Sequence, residues 1–181
     1  MKSNKLLSYG YESLDALTGG LRSGELVLLG ARPGMGTSRF LYNIVSQMNC
    51  EGVIFVSDHD TEEYKFRLQK LRQNAEKDEL SYLSSGIDIH KFISDIKKIK
   101  QLLRNTDRKY RFLVIDALRL LQYSEDEEKG EPCNFGNIFD NLKVLAKELS
   151  IPVIVTVKWP RLCEARFDNG ENPRPNIDDL S

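Results

Sequence analysis

The chain has 181 residues, with 26 lysines and arginines against 27 aspartates and glutamates, and a formal net charge of −1. This length fits one domain with its own core. The near-neutral charge argues against a protein that coats nucleic acid over its whole surface. The three cysteines are far apart and form no Cys-x-x-Cys pair, and no apolar run is long enough to span a bilayer. We therefore expect a cytoplasmic protein with reduced thiols and no membrane contact.

The first predicted strand and helix flank a glycine-rich turn. Residues 26–29 are a continuous apolar run typical of a buried parallel strand, and helical spacing begins again at residues 38–45. Glycines between such elements let backbone N–H groups turn toward a phosphate, and the N-terminal end of the helix favours the same anion. The pattern predicts a phosphate-binding loop, with Arg32, Pro33, Gly34, Met35, Gly36, Thr37, Ser38 and Arg39 as its candidate binding residues.

Thr37 occupies the position at which such a loop carries its lysine. That lysine contacts the β- and γ-phosphates as a point charge, which a threonine hydroxyl cannot replace. Arg32 and Arg39 are nearby cations, and either is a candidate substitute, while the Ser38 hydroxyl is placed to hold Mg²⁺. The alternative is a glycine-rich turn that binds nothing.

Further predicted strands follow at residues 53–57, 112–116 and 152–157, with helical segments between them. This alternation predicts β-α-β units and a mainly parallel sheet with helices on both faces. The stretch 61–103 is rich in Lys, Glu and Gln and is predicted to form two or more helices, broken near residues 84–86.

Residues 11–26 and 30–36 closely resemble the start of the RecA-like ATPase domain of DnaB-type replicative helicases. Residues 112–116 resemble the Walker B strand of that family, and residues 142–154 resemble the helix and strand that come next. The resemblance covers nearly the whole chain. It implies an α/β fold of the RecA-like P-loop NTPase type, formed by a single domain over residues 1–181 that is incomplete at its C-terminal end.

The resemblance also implies a site chemistry. ATP and Mg²⁺ would be the cofactors, with Ser38 and Asp116 as metal ligands. DNA would be a candidate ligand, and the partner would be a further copy of the chain or a helicase ring. His59 stands where the family carries the glutamate that activates water, so His59, Asp58 and Asp60 are the candidate catalytic residues. Lys158 stands where the family carries a glutamine thought to sense nucleotide or DNA.

These departures leave three functions open. The leading one is a DnaB-like ATPase module that binds ATP through a loop without its lysine, with weak or absent hydrolysis. The second is an active ATP-driven DNA helicase, in which Arg39 or a cation from a neighbouring subunit replaces the lysine. The third is a non-enzymatic paralogue that acts as an interaction module on a helicase ring.

The resemblance also implies which strand lies at the edge of the sheet. In the strand order implied by the resemblance, strand 152–157 separates the phosphate-loop strand from the Walker B strand, and the family's later strands pair beside the phosphate-loop strand. Residues 26–29 would then lie at a sheet edge in this chain. An apolar edge invites pairing, so we expect the polar tail after Arg161, or a second copy, to cover it.

Overall fold

The strands alternate with helices along the chain and form one parallel sheet. The computed structural model describes residues 6–32, 34–48, 50, 52–56, 61–71, 80–84, 101, 110–116, 135–158, 166 and 169–170. The strands are β1 (Leu26–Ala31), β2 (Gly52–Val56), β3 (Leu80–Ser84), β4 (Phe112–Asp116) and β5 (Val153–Lys158). Each pairing is parallel, and the order across the sheet is β1-β5-β4-β2-β3. The predicted placement of β5 between β1 and β4 is confirmed.

The helices of the described segments are α1 (Glu12–Thr18), α2 (Thr37–Gln47), α3 (Thr61–Leu71) and α4 (Phe135–Leu149). The short helix α1 was not predicted. It ends at Gly19, whose left-handed backbone lets its N–H bond to the Asp15 carbonyl at 2.8 Å. Among these helices, none combines the length and the apolar character needed to cross a membrane.

Helices cover both faces of the sheet, as predicted. On one face, α4 packs its buried residues against alternate residues of β4 and β5, because successive side chains of a strand point to opposite faces. On the other face, α2 and α3 pack against the intervening residues of the same strands. The first cluster includes Leu113, Ile115, Leu142, Ala146, Val153 and Val155, and the second includes Leu41, Val45, Tyr64, Leu68, Val114 and Ile154.

The stretch predicted to be helical contains a strand. Helix α3 confirms the start of that prediction, but residues 80–84 form β3, paired in parallel with β2 from Gly52 opposite Leu80 to Val56 opposite Ser84. The helical prediction was wrong for these residues because it followed the charged composition of the surroundings. The short strand is held by its hydrogen bonds to β2, a non-local term that local composition does not report.

Strand β1 lies at one end of the described sheet, as expected, and pairs only with β5 there. Residues 26–29 are partly buried, with helices packed over both faces of the strand. The tail after Arg161 falls almost entirely outside the described residues, so its covering of this edge stays a prediction.

Gly52 of β2 lies against Phe112 of β4, so a larger residue at position 52 should destabilise the fold. A Cβ atom added at Gly52 would lie 2.1 Å from the ring of Phe112, which is fully buried. We expect Gly52→Ala to lower the free energy of unfolding by about 1–3 kcal/mol, because the ring or the strand must shift. Urea denaturation measures this change. Phe112→Leu in the Gly52→Ala background should recover part of the loss, and an unchanged stability of Gly52→Ala would contradict the close packing.

Candidate phosphate-binding site

The predicted phosphate-binding loop connects the carboxyl end of β1 to the start of α2. The loop turns at Gly34 and Gly36, whose φ angles are +80° and +81°, in the left-handed region that favours glycine. The N–H of Met35 donates to the Arg32 carbonyl at 3.2 Å, which closes the turn. The Gly36 carbonyl then accepts from the Phe40 N–H at 2.9 Å, the first hydrogen bond of the helix.

The loop leaves room for a ligand. A Cβ atom added at Gly34 or Gly36 would meet no other atom within 4 Å. Gly36 is the N-cap of α2 and makes no side-chain cap hydrogen bond, so the amides of the first helical turn are not capped in the usual way. Open space beside uncapped amides at the positive end of a helix fits a phosphate group.

The side chains around the loop differ in what they can offer. Thr37 and Ser38 are the first two residues of α2, and both are partly buried. Their hydroxyls can donate to a phosphate or bind a cation, but neither carries charge. Arg32 is partly buried and Arg39 is exposed. Arg39 lies two residues beyond Thr37, about 200° around the helix, so it does not share the face on which the lysine would stand.

Asp116 is the last residue of β4 and is buried next to β5, the strand that lies between β4 and β1. Its side chain is 1% exposed, and the fully buried Thr156 of β5 donates its hydroxyl to Oδ1 of Asp116 at 2.5 Å. The two residues are also in register, and Thr156 is in turn opposite Leu29 of β1. The strand spacing then puts the Asp116 backbone roughly 10 Å from that of Leu29. A carboxyl group and a phosphate-type loop therefore share one edge of the sheet.

Tyr42 of α2 packs on the same face of the sheet as Asp116 and Thr156. Its ring stacks edge-on against Tyr64 of α3, with the centroids 4.5 Å apart and an interplanar angle of 81°. Burial raises the pKa of the Tyr42 hydroxyl, and the negative charge of Asp116 raises it further. The phenol therefore lies within electrostatic reach of Asp116, while the nearby Arg67 acts in the opposite direction and lowers the pKa of Tyr42.

Sequence reasoning missed both Thr156 and Tyr42. Thr156 is a single hydroxyl in the apolar run of β5, and Tyr42 belongs to the apolar stripe of α2. Neither pattern indicates a site until the register places Thr156 opposite Asp116. A hydroxyl within the apolar part of a buried strand was the available signal, because a buried hydroxyl requires a partner.

The three candidate catalytic residues, Asp58, His59 and Asp60, lie outside the described residues, as does Pro33 of the loop. The strand that precedes the first three ends at Val56, which is in register with Asp116. Their roles therefore stay predictions. Lys158 ends β5 opposite Ala31, the last residue of β1.

The oxygen atoms that the side chains offer suit a cation bound partly by the protein and partly by a ligand. Within the described segments, no group of three or more histidine, cysteine, aspartate or glutamate side chains could hold a metal ion. Mg²⁺ commonly binds through one or two protein oxygens together with phosphate oxygens and water. Asp116 and Ser38, beside an open phosphate loop, fit that mode of binding and do not fit a closed metal site.

The bond between Thr156 and Asp116 can be tested by removing the hydroxyl. Thr156→Val keeps the shape of the side chain but leaves Oδ1 without this donor, so the free energy of unfolding should fall by about 1–3 kcal/mol. Thr156→Ser, which keeps the hydroxyl, is the matched control and should lose less. Chemical denaturation measures both variants. A larger loss for the serine variant would show that the methyl group matters and the hydroxyl does not.

The family model described as the DnaB-like helicase C terminal domain matches residues 7–102 and 62–181 of the chain. The replicative DNA helicase DnaB of Nostoc sp. is 29% identical over 198 residues, which cover 94% of this chain and 22% of that protein. The corresponding protein of Geobacillus stearothermophilus is 26% identical over 198 residues, which cover 94% of this chain and 42% of that protein.

A solved structure described as a DnaB-like replicative helicase and its interactions with primase is similar to the chain, with a TM-score of 0.69 and 20% identity. The match covers 96% of this chain and 47% of that one, so the chain spans less than half the length of each of these relatives. At this identity, the structural likeness supports the RecA-like fold. Because the family model matches almost the whole chain in two overlapping segments, the chain belongs to the DnaB-like helicase C-terminal domain family.

Proposed function

We propose that the chain is a DnaB-like helicase ATPase module that binds ATP and Mg²⁺ through residues 31–38 and hydrolyses ATP weakly or not at all. The proposal rests on two features that lie at the same edge of the sheet. The loop before α2 has two left-handed glycines and open space beside them, and Asp116, hydrogen-bonded to Thr156, lies at the same edge. Membership of the DnaB-like family supports the nucleotide as the ligand.

Each part of the chain would have a defined task. The backbone amides of the loop and of the first turn of α2 would hold phosphate oxygens. Ser38 and Asp116 would hold Mg²⁺, directly or through water. Thr156 would orient Asp116 through the hydroxyl that it donates. When bound, ATP with Mg²⁺ would supply a phosphoryl group that can be transferred to water.

We expect weak hydrolysis because the Thr37 side chain carries no positive charge. Phosphoryl transfer is catalysed mainly by positioning and by neutralising the charge that spreads over the phosphoryl oxygens. A neutral hydroxyl at residue 37 removes a point charge from that task, while the amides still bind the ground state. His59, in the glutamate's position, would further weaken the activation of water.

DNA and further copies of the chain are the proposed partners. The relatives are named replicative DNA helicases, and the similar structure is described together with its interactions with primase. DNA-stimulated hydrolysis would favour the active-motor alternative. Failure to bind nucleotide, combined with capture of a helicase ring, would favour the non-enzymatic one.

Restoring the lysine tests the account of the loop. Thr37→Lys should tighten ATP binding by about tenfold to a hundredfold, because a charge-assisted contact contributes roughly 1.5–3 kcal/mol. Isothermal titration calorimetry with ATP and Mg²⁺ measures the change. Gln47→Lys, which adds the same charge at the other end of α2, should leave binding unchanged. Tight binding by the wild type that Thr37→Lys does not improve would refute the account.

Changing residue 59 tests hydrolysis separately from binding. In the Thr37→Lys background, His59→Glu should raise the rate of ATP hydrolysis further, because a carboxylate can orient and activate water. Steady-state phosphate release measures the rate, and His59→Gln, which adds no base, is the control. If His59→Ala instead abolished a substantial wild-type activity, His59 would be the working base and the weak-hydrolysis proposal would fail.

A further inference from the structure

The end of strand β5 brings a lysine to the phosphate-binding loop. Strand β5 lies directly beside β1, and their register runs from Leu26 opposite Val153 to Ala31 opposite Lys158. Lys158 is therefore the last residue of β5, at the level where β1 ends and the loop begins. The loop that lacks a lysine at residue 37 has one at the end of the adjacent strand.

The spacing of the strands allows this lysine to serve the loop. Paired strands are about 4.8 Å apart, and an extended lysine places its ammonium about 6 Å from its own Cα by standard bond lengths. Residue 158 is two positions after Thr156, and residues two apart in a strand belong to the same face. That face is the one on which Thr156 meets Asp116 and on which α2 packs.

We propose that Lys158 supplies the phosphate-binding cation that Thr37 cannot supply. The inference rests on the proposed nucleotide binding and goes beyond it by naming the residue that contacts the terminal phosphates. Lysine suits this task because its ammonium is a compact charge on a flexible stem. Arg39 is a weaker candidate, since it is exposed and lies about 200° around α2 from Thr37.

A cation in the neighbouring strand changes how the site would operate. A lysine in the loop is fixed by the first turn of α2, whereas Lys158 is attached to the sheet and would reach the phosphates from the side of β5. Binding would therefore keep only part of its charge assistance, and Thr37→Lys, with its shorter approach, would still improve it. The two positions should also be partly redundant, because both would neutralise the same phosphate oxygens.

The partial redundancy between a lysine at residue 37 and Lys158 can be tested by combining variants at the two positions. The full chain is titrated with ATP and Mg²⁺ as wild type, Lys158→Ala, Thr37→Lys and the double variant. Lys158→Ala should weaken ATP binding by about tenfold to a hundredfold, and AMP binding much less. In the Thr37→Lys background, Lys158→Ala should weaken ATP binding threefold or less, because contacts to one ligand group are not additive.

Three controls make the result decisive. Lys147→Ala removes an exposed lysine from α4, on the opposite face of the sheet, and should leave ATP binding unchanged. Lys158→Gln keeps an unbranched polar side chain but removes the charge, and it should behave as Lys158→Ala does, which excludes a folding defect if thermal unfolding is also unchanged. Arg32→Ala tests the cation within the loop itself and should weaken ATP binding less than Lys158→Ala does.

The outcomes separate the inference from the proposed function. If the wild type binds ATP and both Lys158 variants bind it equally well, the inference is overturned and the proposed function stands. A large loss in Arg32→Ala with none in Lys158→Ala would assign the role to Arg32 and overturn the inference as well. If wild type and Thr37→Lys both fail to bind ATP, the proposed function fails, and the inference fails with it.

Discussion

The parallel pairing of β1, β5 and β4 determines which side chains can meet at the candidate site. Parallel strands place all their carboxyl ends at one edge, and the register fixes the level at which each side chain stands. Leu29, Thr156 and Asp116 are aligned across the three strands, and Ala31 is opposite Lys158. A shift of one residue in β5 would turn Thr156 to the face of α4 and separate it from Asp116.

In the proposed site, backbone groups would supply much of the positive potential, because residue 37 carries no charge. The loop glycines and the first turn of α2 provide amides and the helix dipole, which are fixed partial charges. In the proposed site these groups would bind an anion without adding a full charge against the one that develops during phosphoryl transfer. A lysine supplies a full charge, so its position decides whether the site binds nucleotide only or also promotes hydrolysis.

The sequence predicted the parts of the fold that have a strong local signal. Strands β1, β4 and β5 are continuous apolar runs, and the glycine cluster before α2 marks the loop. The order of the strands followed only from the resemblance, because local patterns do not encode which strands pair. Strand β3 was missed because its pairing with β2, rather than its composition, holds it in place. Thr156 could not be assigned a role before the register put it opposite Asp116.

Calorimetric titration of the wild-type chain with ATP, in the presence and absence of Mg²⁺, measures directly whether the loop binds a nucleotide. The loop should bind the phosphates weakly without the cation, and Mg²⁺, for which we propose Ser38 and Asp116 as ligands, should strengthen that binding. We expect saturable binding in both conditions, with tighter binding when Mg²⁺ is present and a smaller effect of Mg²⁺ in Asp116→Asn. An absence of saturable binding with Mg²⁺ present would contradict this expectation.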